Sequence, residues 1–146
     1  MRKISTMEAR ELRIGNWVMY DRPCRIHALT ANPPIITIEF GLCVVYPPFK
    51  NTEDYSEHYS FTSIEDIEPI PITPEILEKA GFRKEHLGQG KMHLCISEDY
   101  FLTFYDNEVY LECNDSFISL HFGCKSLHQL QNLYFALTGE ELEINL

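Results

Sequence analysis

The residues best equipped for chemistry are histidines and cysteines in the second half of the chain: His93-x-Cys95, then Cys113, His121, Cys124 and His128. Four such side chains can hold zinc in a tetrahedron. Their spacing contains none of the paired short loops that close a structural zinc site, and His128 falls in the first turn of a predicted helix, where it is expected to be exposed. Core cysteines and surface histidines are therefore expected, with no metal and no cofactor. A cysteine nucleophile and its histidine base meet in space rather than in sequence, so spacing alone does not assign them. Cys43, Cys95 and Cys113 lie in apolar strand-like runs, where a buried thiol keeps its proton and is inert. Gly88-Gln89-Gly90 has neither Lys-Ser/Thr nor a helix after it and reads as a hairpin tip, not a phosphate loop. No carboxylate pair is marked as acid and base, so no catalytic residue is assigned. A small enzyme with an unrecognised active site ranks third among the readings.

A second group mixes basic and aromatic residues: Arg10, Arg13, Arg22 and Arg25 flank Trp17 and Tyr20, a combination that can grip a nucleic-acid strand. Charge argues against it. The 146 residues carry 12 Lys and Arg against 22 Asp and Glu, a net charge of -10. Residues 1 to 25 hold six basic and three acidic residues, a balance of +3, which leaves -13 for the remainder. Between Lys50 and Lys79 lie eight acidic residues and no basic one. Such a surface repels nucleic acid over most of its area and favours a basic protein partner. A nucleic-acid-associated module, using Arg10, Arg13, Trp17, Arg22 and Arg25, is the second reading.

The elements that must position these residues are legible from pattern. Ser5 and Glu8 form a capping box for a short helix over residues 5 to 13, and Gly15-Asn16 turns the chain into an apolar strand from Trp17 to Tyr20. Asp21-Arg22-Pro23 is a turn, Arg25 to Leu29 a returning strand, Ile35 to Phe40 another, and Gly41 marks a bulge or turn before Cys43 to Tyr46. Strands this short and close predict an SH3-like small β-barrel lobe over 1–72. Thr73-Pro74 starts a helix that ends at Gly81, and a second α+β lobe over 73–146 follows as an antiparallel meander: Met92 to Ile96, Phe101 to Tyr105, Val109 to Cys113 and Phe117 to Phe122. Ser126 caps a terminal helix whose Leu127, Leu130, Leu133, Tyr134 and Leu137 recur at helical spacing until Gly139, and this stripe is the natural cover for the meander. Leu142, Ile144 and Leu146 then alternate with polar residues as a short strand or an extended tail. The fold class is α+β.

Five scattered cysteines, no apolar run after Met-Arg-Lys-Ile that resembles a secretory signal, and no apolar stretch near the roughly 20 residues that cross a bilayer point to a cytoplasmic protein without membrane contact. Residues 47 to 60, PPFKNTEDYSEHYS, form a long polar and aromatic segment of no clear period, a form common to binding loops. Phe49, Tyr55 and Tyr59 supply amphipathic contacts there, and Asp54 and Glu57 supply orientation toward a basic partner.

Three segments, ELRIGNWV at 11 to 18, IPITPEILEKAGF at 70 to 82 and LHQLQNLYFALTGEEL at 127 to 142, together resemble a family of small uncharacterised proteins. That family is common in Bacteroides-type gut bacteria, their prophages and other mobile elements. The resemblance implies a cytoplasmic, mobile-element-encoded protein engaged in host interaction, counter-defence or virion assembly, and carries no catalytic residues. The first reading is accordingly a non-catalytic protein-binding or regulatory protein of phage or mobile-element origin.

Overall fold

Alternation of apolar and polar residues builds two antiparallel sheets here, and the computed structural model describes residues 11–30, 41–47, 59–84, 90–113 and 119–146 of them and their connections. The architecture is α+β, with neither sheet closed into a barrel among the described residues. The chain divides into two compact units, Met1–Ile70 and Pro71–Leu146. No helix of the described residues is long and apolar enough to cross a membrane.

The first unit is a four-stranded meander of β1 (Trp17–Tyr20), β2 (Arg22–Thr30), β3 (Gly41–Val45) and β4 (Tyr59–Ser63). Asp21, at φ 64°, makes the reversal from β1 to β2 in a single residue, so Arg22 and Pro23 belong to the strand and not to the expected turn. Val18 pairs with Cys24, Ile26 with Val44 and Leu29 with Leu42, and these residues, with Leu12 and Ile67, form the unit's core. Ile26 and Leu29 are three apart yet both face it, because the register shifts between Ile26 and Ala28 and leaves His27 exposed. The irregularity lies there, whereas Gly41, where one was expected, simply begins β3. Before β1, Gly15 at φ 95° permits a tight turn in which Asn16 Oδ1 accepts from Arg13 N at 2.7 Å, and Gly15 N donates to Ile26 O at 2.7 Å. The Ile-Gly-Asn-Trp stretch is thus a structural clamp on β2. Of the helix expected over 5 to 13, only 11 to 13 are described, and they are not α-helical. The strand expected at 35 to 40 lies outside the described residues.

After β4 a 3₁₀ turn, Ile64–Asp66, leads to Glu68, whose N and O bond Met19 at 2.9 and 2.8 Å. The outer edge of β1 is met there by the chain's own return.

In the second unit Thr73 Oγ1 accepts from Ile76 N at 3.2 Å to cap α1 (Pro74–Lys79). Gly81, at φ 97°, lets Phe82 N reach Leu77 O at 2.9 Å, which ends the helix as the sequence predicts. A five-stranded sheet follows in sequential order: β5 (Arg83–Lys84), β6 (Met92–Cys95), β7 (Tyr100–Tyr105), β8 (Glu108–Cys113) and β9 (Ser119–Phe122). Asp106 and Asn107, at φ 52° and 61°, form the tight turn between β7 and β8. Gln129 Oε1 accepts from Ser126 N at 3.2 Å at the start of α2 (Leu127–Thr138), and Gly139 N closes it on Phe135 O at 2.7 Å.

Leu127 and Leu130 are fully buried, while Leu137 is 38% exposed and stands outside the stripe assigned to it. His128, expected on the surface, is buried, with Nδ1 at 3.1 Å from Ser126 Oγ. The reason is rotational: the buried positions of α2 are Leu127, His128, Leu130 and Gln131, so the inner face is wider at the first turn than a leucine pattern shows. Leu142 and Ile144 are buried and Glu141 and Glu143 exposed, without a strand, so the tail is extended.

Candidate functional site

Register in the second sheet sorts its residues into two faces. Met92, Leu102, Phe104 and Val109 occupy one and are buried. Leu94, on the same face, lines an open groove of about 330 Å³ with Tyr134 of α2 and Leu142 of the tail, so this is the covered side.

The other face is polar and aromatic, and its side chains bond across strands. His93, Thr103, Tyr110 and His121 stand opposite one another in one row over β6, β7, β8 and β9. Thr103 Oγ1 donates to Glu112 Oε2 at 3.1 Å and lies 2.9 Å from His93 Nδ1. A hydroxyl has one hydrogen, and here it is directed at the carboxylate, so Thr103 accepts and His93 Nδ1 carries the proton. In a neutral ring that places the lone pair on Nε2. Thr103 itself is 1% exposed, sealed beneath its neighbours. The edge of the His93 ring meets Phe101, with centroids 5.2 Å apart.

At the far end of the row Glu108 Oε2 accepts from Tyr110 Oη at 2.9 Å and lies 3.0 Å from Nε2 of the exposed His121. The hydrogen bond to Glu108 holds the Tyr110 proton and pushes the phenol's pKa up. The Tyr110 and His121 rings lie 5.2 Å apart. Lys91 Nζ sits 5.5 Å from the centre of the Tyr105 ring at the sheet's margin. The two imidazoles are separated by three inter-strand steps, roughly 14 Å. They belong to separate His-carboxylate units, and no group of three or more His, Cys, Asp or Glu among the described residues is placed to hold a metal ion.

Of the residues singled out for partner binding, Phe49, Asp54, Tyr55 and Glu57 lie outside the described residues; Tyr59 opens β4 opposite Val45, so the end of that segment is strand and not loop. Of those singled out for nucleic acid, Arg10 lies outside the described residues. Trp17 is 1% exposed, with the Arg25 guanidinium 5.9 Å from its ring centre, and a buried ring offers no platform to a base. Arg22 lies 4.4 Å over the ring of Tyr46, whose hydroxyl donates to Tyr20 O at 3.1 Å. The structure thus pairs these two arginines with aromatic rings of their own unit.

Burial pushes the Cys24 thiol up to about 11 and Cys124 to about 12, and raises Cys43 as well. Cys95, expected to be buried, is exposed, because its place at the end of β6 puts it on the open face.

Comparison with protein-family models, curated proteins and solved structures gives no match. The geometry of the chain is therefore what bears on function. Thr103, Glu108, Tyr110 and Glu112 are not marked in the sequence by any motif; the signal that finds them is the period of two along β7 and β8, read together with the register.

Proposed function

We propose that the chain is a non-catalytic protein-binding or regulatory protein of phage or mobile-element origin, acting in host interaction, counter-defence or virion assembly, and that it engages its partner through the open face of the second sheet. The observation that carries this reading is the cross-strand surface of His93, Phe101, Tyr105, Tyr110, Glu112 and His121. A merely solvated sheet face has no need of aromatic side chains set in a hydrogen-bonded array, whereas such side chains suit a protein interface. We also read the first unit as an SH3-like lobe: a four-stranded meander, a 3₁₀ turn and a return to β1 at Glu68 are what a small curled barrel of that kind requires. The cytoplasmic location and mobile-element origin belong to the same proposal and rest on the three sequence segments that carry the resemblance. The nucleic-acid reading loses support from the burial of Trp17 and the net charge of -10.

The test is affinity capture from bacterial lysate with the intact chain and with a Tyr105→Ala, His121→Ala variant. Both residues are exposed, at 41% for Tyr105, so the fold is expected to survive, and circular dichroism checks it. Loss of a specific protein from the variant's captures supports the reading. Equal capture by both proteins rejects this face.

A further inference from the structure

We draw no further inference here: the strongest candidate, the open groove of about 330 Å³ beside the C-terminal ends of α1 and α2, lined by Tyr134, Leu142, Glu140, Glu141 and Glu143, carries nothing, because Lys79 in the same lining offsets part of its acidic charge and nothing in the structure shows what occupies it.

Discussion

Replacing Thr103 with valine isolates the polar relay from the packing around it. The two side chains have nearly the same volume, and valine suits a strand, so the buried position is refilled without a cavity. What disappears is one hydroxyl, which bonds Glu112 Oε2 at 3.1 Å and His93 Nδ1 at 2.9 Å. A hydrogen bond to a charged group is worth about 1.5–3 kcal/mol and a neutral one about 0.5–1.5 kcal/mol, but His93 and Glu112 are only half-buried and recover part of this from water. The net cost is therefore set at about 1–2 kcal/mol, which for a unit of this size lowers the midpoint of thermal unfolding by roughly 4–16 °C. Nitrogen-15 NMR of the imidazoles is the sharper assay. In the native chain the neutral His93 ring carries its proton on Nδ1, because the Thr103 hydrogen is directed at Glu112; in Thr103→Val that constraint is gone and the Nε2-H tautomer gains population. Glu112→Gln shifts it in the same direction, since a side-chain amide can turn its own donors toward Thr103 and free the hydroxyl hydrogen for Nδ1. An unchanged His93 tautomer in both variants refutes the relay, whatever happens to the melting temperature.

Two further outcomes concern the core. Leu130→Ala in α2 deletes a side chain with no exposed surface and is expected to cost about 2–5 kcal/mol, measured by urea denaturation; a loss below 1 kcal/mol would place α2 away from the unit's core. Raised thiols make stability alkali-sensitive: the unfolded Cys124 ionises from its ordinary value of 9.0 while the folded thiol keeps its proton to about 12, so the native state holds more protons across this window and stability falls as pH rises. The slope approaches about 1.4 kcal/mol per pH unit, and Cys124→Ala should flatten it between pH 9 and pH 11 in denaturation experiments, whereas an identical slope would show that the native thiol ionises normally.

Local signals carried far. Thr73-Pro74 and Gly81 bound α1, Ser126, Gln129 and Gly139 bound α2, and Asp106-Asn107 turns β7 into β8, because caps and tight turns depend on neighbours within a few residues. The misses share a cause. The register shift at His27 lets Ile26 and Leu29 share a core, and no local rule foresees it because the partner strand β3 decides it. Trp17 looked like a stacking residue and is buried, and His128 looked like a surface residue and is buried, since exposure depends on what packs from elsewhere in the chain.

The sequence by itself determined where α1 and α2 begin and end, the acidic balance of the chain and the α+β class. Only the tertiary structure decided that His93, Thr103 and Glu112 form one bonded group and Tyr110, Glu108 and His121 another on the same face. They are spread over four strands, and inter-strand register, which no period along a single strand contains, is what sets their donors against their acceptors.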